Sequence, residues 1–591
     1  MKEVRLAVLF LLFLVSNVFA AGFHSVPIGH RVYRVLANAE TRGLVTKQMD
    51  VKPYSVAKVM ELLSQIEEGS ITTSERMEIE DIKEELSAAY GNTEYRTAKE
   101  ILTNGSFRTA GKDGNVTAIG LKAETRQTAG SDFSSSFQND SRNSLTAYIR
   151  GDLWNVLSYD MNLSLRVDKL NPNVFLFNDF SIDGDGFYWN ITNAGEYQNS
   201  IPYDKLYTGL AMVPEIDSEL FKGKLRLRFG SVRRDWGPGL NNLELSGSAS
   251  TFPALEAQVD VAEWLHYSVL TGSLEKFMNQ TICGRPWPSD YNTSDKSAYK
   301  YDNNFSAQRI EWNVTKKLTL SIYESVVWKK RFEIAYLLPV SVYMFDQNAL
   351  GDLDNMLAGL DFSFTWPNVA RFYGAIACTE MSTANPKKFF THPRNILGYQ
   401  AGVEVPLPGA SFSALTFQAT YLSPFFYSHY TNDKNPWGKE YNSRYVNKGF
   451  CLGYPLDPDT LELLLQYELG FGKGWTGRAT AKYQARSAQY SPDAYGTTIL
   501  TYMDYENTGS YASKDFFHNI WSHVASLELS VTKRLSAFPV EFTGGIRVEG
   551  DWTRAFTTTL SNGFNYGNTV LGDWNATTWG LYGSFGMSIY Y

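Results

Sequence analysis

The last eleven residues alternate almost without error: Leu581, Gly583, Phe585, Met587, Ile589 and Tyr591 fall on one parity, and Tyr582, Ser584, Gly586, Ser588 and Tyr590 on the other. Successive side chains of a strand point to opposite faces, so this stretch is a two-sided strand that ends on an aromatic. Such a strand needs oil on one side and a more polar neighbour on the other. A membrane-spanning barrel supplies both, because its outer face meets lipid, its lumen is polar, and aromatics gather at the water boundary. An edge strand of a soluble sandwich is the competing reading.

The opposite end of the chain bears on that choice. Lys2 and Arg5 precede the apolar run 6–15, and Val18-Phe19-Ala20 supplies the small residues of a cleavage site. The run is too short to span a bilayer, so residues 1–20 read as a secretory signal peptide. Residue 21 is Ala, which argues against a lipid-anchored product. No later stretch offers 18 consecutive apolar residues, so the exported chain is expected to be either soluble or a barrel.

Composition favours the barrel. Aromatics make up 15% of the chain, yet the mean hydropathy is only −0.27, as strands oily on one side alone would give. A net charge of −8 gives no support to nucleic-acid binding. Cys283, Cys378 and Cys451 are odd in number, far apart and without a CxxC, so neither a disulfide scaffold nor a zinc site is indicated.

The chain divides into a helical head, assigned to residues 21–100, and a strand array, assigned to 101–591. Ile28, Val32, Tyr33, Leu36 and Ala39 fall at helical spacing before Gly43, a plausible stop. A second helix opens at Ser55 with Val56, Val59, Met60, Leu63 and Ile66. A third follows Ser74, with Met77, Ile79, Ile82 and Leu86. Such a bundle is expected in the periplasm or the barrel mouth. From about residue 115 the period changes to two. Tight links at Ala262-Glu263, Lys316-Lys317, Pro367-Asn368, 407–410 and 472–474 alternate with long segments, taken as polar, near 233–250, 273–303, 329–355, 381–396, 423–460, 487–519 and 551–572. Short turns on one side and long loops on the other are the barrel pattern, and the count comes to about 18 antiparallel strands.

Parity then assigns faces. Across 475–486, Arg478, Lys482 and Arg486 share one side and Trp475, Ala479 and Tyr483 the other. A charge on the lipid face near the midplane costs about 2–4 kcal/mol, so the basic side is expected to look into the lumen. Arg226 and Arg228 behave alike in 224–230, and Glu468 should lie opposite Arg478 if the turn centres near Lys473. Glu324 is a difficulty, since strict alternation turns it toward lipid with Leu318, Leu320 and Ile322. A bulge or an interfacial place would resolve it.

Several ordered motifs carry a resemblance. LRLRFGSVRRDWGPG over 225–239 is followed by Glu324–Trp328 with Arg331, Tyr336-Leu337 before Pro339, Gly351-Asp352 with Asp354-Asn355, Gly398–Gly402, Tyr427-Ser428-His429, Leu452-Gly453 and Pro455–Asp459. With the head from Val26-Pro27-Ile28 through Tyr54-Ser55, these resemble the Wzi-type capsule-assembly family of outer-membrane proteins. The resemblance covers roughly 26–66, 224–470 and the terminal strand. It implies a barrel of about 18 strands with a periplasmic helical bundle, acting as a surface lectin that helps hold capsular polysaccharide. Residues 100–200 and 480–575 resemble nothing assignable.

The motif residues suit sugars chemically. Polysaccharides present hydroxyls, often carboxylates, and apolar ring faces, so recognition uses Asp/Asn acceptors, Arg forks and flat aromatics. Arg233, Arg234, Asp235 and Trp236 begin one outer loop. Arg331, Asp352, Asp354 and Asn355 bracket another, and Tyr427, His429, Asp457 and Asp459 lie in a third. Equally, Trp236 suits an interfacial girdle and the Gly/Pro/Asp positions suit turns. No GxSxG or HExxH motif is present among seven His, so no catalytic, metal or cofactor site is expected. The reading is a monomeric outer-membrane barrel that binds surface polysaccharide through extracellular loops. Its expected partners are that polysaccharide, outer-membrane lipid and, through Leu581–Tyr591, the barrel-assembly machinery. A pore for polysaccharide or small solutes is the alternative.

Overall fold

The computed structural model describes residues 22–590 apart from 112, 133–136, 170, 172–186, 191–205, 275–280, 283–284, 287–302, 330, 352–353, 382–386, 388, 391–394, 429, 432–442, 444, 448–449, 489–502, 505–515, 536–537 and 562–564. The expected signal peptide lies outside the described residues. Among those described, no helix is long and apolar enough to cross a membrane.

The head comprises α1 (Val32–Arg42), α2 (Val56–Glu68), α3 (Thr73–Tyr90) and the short α4 (Ala98–Asn104). Gly43 closes α1 at φ 76°, a conformation that suits a residue without a Cβ. The Ser55 hydroxyl caps α2 by accepting from the Lys58 amide. α3 starts at Thr72 rather than after Ser74, because Thr72 and Glu75 form a reciprocal capping box. The expected periodic residues Val32, Leu36, Ala39, Val59, Leu63, Ile66, Ile79, Ile82 and Leu86 make the buried core of this bundle.

Eighteen antiparallel strands close into one barrel. In chain order they are β1 (Val116–Asp132), β2 (Gln138–Leu153), β3 (Leu157–Lys169), β4 (Leu206–Leu220), β5 (Leu225–Gly230), β6 (Ala254–Ala262), β7 (Leu265–Ser273), β8 (Asn303–Asn313) and β9 (Leu318–Lys329). They continue with β10 (Asn355–Trp366), β11 (Ala370–Glu380), β12 (Ile396–Leu407), β13 (Ser411–Leu422), β14 (Thr460–Gly472), β15 (Trp475–Ser487), β16 (Ile520–Arg534), β17 (Val540–Ser561) and β18 (Asn565–Tyr590). β18 pairs with β1 from Gly580↔Asp132 to Tyr590↔Lys122, which seals the cylinder. The terminal alternation falls as read, with Leu581 and Phe585 exposed outward and Tyr582 buried inward. Glu468 pairs in register with Arg478 across a turn holding Lys473 at φ 52°.

The head docks on the end of the barrel that carries the short turns. Arg34 donates to the Ser411 and Phe412 carbonyls at 2.8 and 2.7 Å, and Asn38 donates to the Ser413 carbonyl at 2.8 Å. Phe412 itself is buried in the head's core. Further round the rim, Glu85 of α3 pairs with Arg534 at 2.5 Å.

One expectation changes. The connection after β9, taken as a polar segment, is largely apolar and folds back against the outside of the wall. Its residues run through a short 3-10 turn (Ala335–Leu337) into α5 (Tyr343–Leu350). Tyr336 and Tyr343 pack on Val326 and Trp328, which point outward from β9. This resolves Glu324 without a bulge: β9 pairs with both neighbours in unbroken register. Glu324 does face outward, where it accepts from the Tyr343 amide at 2.9 Å and from Gln308 at 2.5 Å.

Candidate functional site

The loop between β5 and β6, residues 231–253, turns into the barrel instead of standing above it. Arg234 holds its two feet together. Its guanidinium donates to Glu256 of β6 at 2.8 Å, to the Gly230 and Val232 carbonyls at 3.1 and 3.0 Å, and to the Phe252 carbonyl at 3.3 Å. A planar fork with five donors can do this where a lysine cannot. Beyond it, Asp235 and Trp236 pair antiparallel with Lys52 and Val51 of the head's connecting segment. The Gly237 amide donates to the Asp50 carbonyl at 2.7 Å, and the Asp235 carboxylate accepts from Asn242 at 2.8 Å. Burial raises the Asp235 carboxyl above the ordinary aspartate value, against the lowering pull of Lys52. Trp236 is fully buried in an aromatic core inside the barrel, neither at the membrane girdle nor open to a sugar.

The same loop reaches the opposite wall. Arg371 of β11 donates to the Pro238 carbonyl at 3.1 Å, Gln400 of β12 to the Asn241 carbonyl at 2.7 Å, and the Leu240 amide to Gln418 of β13 at 3.0 Å. The loop therefore bridges the lumen. The head's segment meets it from the short-turn side: the Asp50 amide donates to Glu311 of β8 at 3.0 Å, and Arg226 and Arg228 donate to the Pro53 carbonyl at 2.9 and 3.0 Å. Lys47 lies 3.0 Å from Asp50 and 3.1 Å from Glu40. Burial alone would raise the Asp50 carboxyl, but Lys47, Arg371 and Arg309 outweigh it and lower it.

The lumen charges are organised as pairs on this side of the barrel. Arg226 and Arg228 share Asp217 at 3.1 and 3.2 Å, and Arg228 also meets Glu256 at 2.9 Å. Arg309 lies within 2.6 Å of both Glu311 and Asp361. Glu468 and Arg478 pair at 2.7 Å near the short-turn rim, while Lys482 and Arg486 follow on the same parity, partly buried. Glu256, Arg309, Arg371 and Gln400 escaped the sequence reading, though each stands on the inward parity of its strand.

The other sequence candidates separate. Tyr427 packs against Tyr445 with ring centroids 5.1 Å apart and donates to the Leu243 carbonyl at 2.7 Å, fixing the top of the lumen-crossing loop. Asn355 points inward and donates to the Tyr427 carbonyl at 3.0 Å. Arg331 and Asp354 form a two-pronged ion pair at 3.1 and 2.6 Å outside the wall, at the two ends of the segment that covers Glu324. Asp459 is buried beside Ser487 at φ 56°, where burial pushes its carboxyl up to about 7. Arg233 and Asp457 are partly exposed. Asp352 and His429 lie outside the described residues. No cluster of metal-ligating side chains occurs among the described residues.

No family model and no curated protein matches the chain. Its backbone does match solved structures. One is Wzi of Escherichia coli, described as an outer membrane protein involved in group 1 capsule assembly and a carbohydrate-binding β-barrel. The match has a TM-score of 0.55 and 12% identity, covering 97% of this chain and 100% of that one. The chain shares that barrel's fold. Pseudomonas aeruginosa OccK8 matches over 80% of this chain at 9% identity, with a TM-score of 0.38. The fold class expected from strand parity and turn lengths is the closed eighteen-stranded cylinder described above.

Proposed function

We propose that this barrel binds surface polysaccharide non-covalently at its long-loop end and helps assemble or anchor it at the cell surface. In this reading residues 1–20 direct export, the barrel sits as a monomer in the outer membrane, and the helical head faces the periplasm. The observation that carries the proposal is the lumen-crossing loop. Bonded to both walls, it gives the long-loop end a fixed floor, which suits a chain-like ligand lying across the surface better than a solute passing through. The shared fold with a carbohydrate-binding barrel supports it.

The buried Arg234, Asp235, Trp236, Asn355 and Tyr427 form the frame, and the partly exposed Arg233 and Asp457 are the contacts assigned to the glycan. Asp352 and His429 join them on sequence grounds. An arginine fork and carboxylate acceptors suit an acidic, hydroxyl-rich chain. The test is retention of the detergent-purified protein on immobilised acidic and neutral surface polysaccharides. Arg233→Ala and Asp457→Ala should weaken retention on at least one. Failure to bind any, together with stable open conductance in a planar bilayer, would replace the lectin reading with a pore.

A further inference from the structure

The segment that folds back over the outside of β9 has two distinct sides. Its inner side is bonded to the wall by polar groups beside the Tyr336–Tyr343 cluster. The Val340 amide donates to the Tyr267 hydroxyl at 2.8 Å, Gln308 donates to the Ser341 carbonyl, and the Tyr343 amide reaches Glu324 at 2.9 Å. Tyr267, Gln308 and Glu324 all stand on the outward parity of β7, β8 and β9, where acyl chains alone would leave their polar groups without hydrogen-bond partners. The Arg331–Asp354 pair clasps the segment at its base, and Tyr336 adds a hydrogen bond to Asp354 at 2.9 Å.

The outer side is oily. Phe332 is 83% exposed, Val340 71% and Phe345 65%, with Ile334, Leu337, Leu338 and Val342 also exposed. This surface runs on from the exposed belt of Ile310, Leu320, Ile322, Leu360 and Phe362 on the strands it covers. Its height fits the same belt. Six residues separate Leu318, beside a short turn, from Glu324. At about 3.3 Å each and a tilt near 40°, that places Glu324 roughly 15 Å up an apolar band about 25 Å tall.

We propose that residues 331–350 form an external flap embedded in the outer leaflet, with acyl chains as the partner of its exposed side. Part of the wall beneath, at Tyr267, Gln308 and Glu324, is a polar seat, and the flap restores the apolar surface one layer further out. A flap lifted into water would expose seven large apolar side chains and strand Glu324 and Gln308 in lipid.

The native protein, reconstituted in phosphatidylcholine vesicles doped with phosphatidylcholine bearing a mid-chain diazirine, provides the test. After illumination, mass spectrometry should place adducts on Phe332, Val340 and Phe345 at yields comparable to those on Ile322 and Leu360. Adducts on the belt with none across 332–345 would overturn the proposal, whether the flap stands in water or against another protein. A bimane label on Val340→Cys, with Cys283, Cys378 and Cys451 replaced by serine, gives a second reading. Quenching by mid-chain nitroxide lipid is expected, and quenching by aqueous iodide instead would refute it.

Discussion

Replacing Arg234 with alanine should release the lumen-crossing loop while leaving the barrel closed. The side chain is almost fully buried and donates to one carboxylate and three carbonyls. Breaking a buried pair by removing one partner costs about 3–5 kcal/mol, mostly from the charge left behind. Here Glu256 keeps Arg228 at 2.9 Å and Gln258 at 2.8 Å, which places the loss at the lower end of that range. The three carbonyls add up to about 1 kcal/mol each where water cannot replace the donor. A local loss of about 3–6 kcal/mol multiplies the open population by roughly two to four powers of ten. Amide hydrogen exchange of the detergent-solubilised protein reads this directly: Trp236 and Gly237 should exchange faster by about that factor, with β5 and β6 unchanged. Lys52→Ala is the control, because its contact with Asp235 is long at 3.4 Å and partly solvated, so a change below about tenfold is expected. Unchanged exchange at Trp236 and Gly237 in Arg234→Ala would refute the claim that this guanidinium holds the loop inside.

Other outcomes follow from the same contacts. Burial would raise Glu85, but His30, Arg534 and Arg31 outweigh it and hold the carboxyl at about 2, so the folded head, which itself supplies His30 and Arg31, should lose about 3 kcal/mol of stability against unfolding as pH falls from about 4.5 to 2. Glu85→Gln should abolish that dependence when proteolytic cleavage within the head is followed against pH. Asp459, raised by burial to about 7, is destabilising once ionised, so the 452–459 loop should weaken as pH rises from about 4 to 7. Asp459→Asn should remove that window in loop-resolved hydrogen exchange, since asparagine tolerates the positive φ. Arg478 is 57% exposed, so Arg478→Ala should change unfolding free energy in urea by less than about 1 kcal/mol despite the close contact with Glu468.

Parity made the barrel legible. Each strand must show one face to lipid, so Arg478 and Lys482 could be assigned inward, and the short turns fixed the pairing of Glu468 with Arg478. The head's helices were readable from spacing, while α4 was missed although Thr97 and Glu100 form a capping box before it. The course of the long loops was not readable, because it depends on partners distant in sequence. Trp236 ends in a core because Val51, nearly two hundred residues earlier, lies beside it. The flap does have a sequence signal: a connection as apolar as 332–345 does not belong in water, and the polar residues on the outward parity of β8 and β9 mark where it lies.

The two-residue ribbon joining Val51–Lys52 to Asp235–Trp236 ties together segments that enter from opposite mouths. It makes the cylinder a linkage between its long-loop and short-turn mouths, with no strand required to move. Whatever occupies the distal face and prefers the ribbon intact must also strengthen attachment of the helices below, and by an equal factor, since thermodynamic coupling is reciprocal. Occupancy at the long-loop mouth would thus be written, as a change in binding constant, at the mouth that carries the helices.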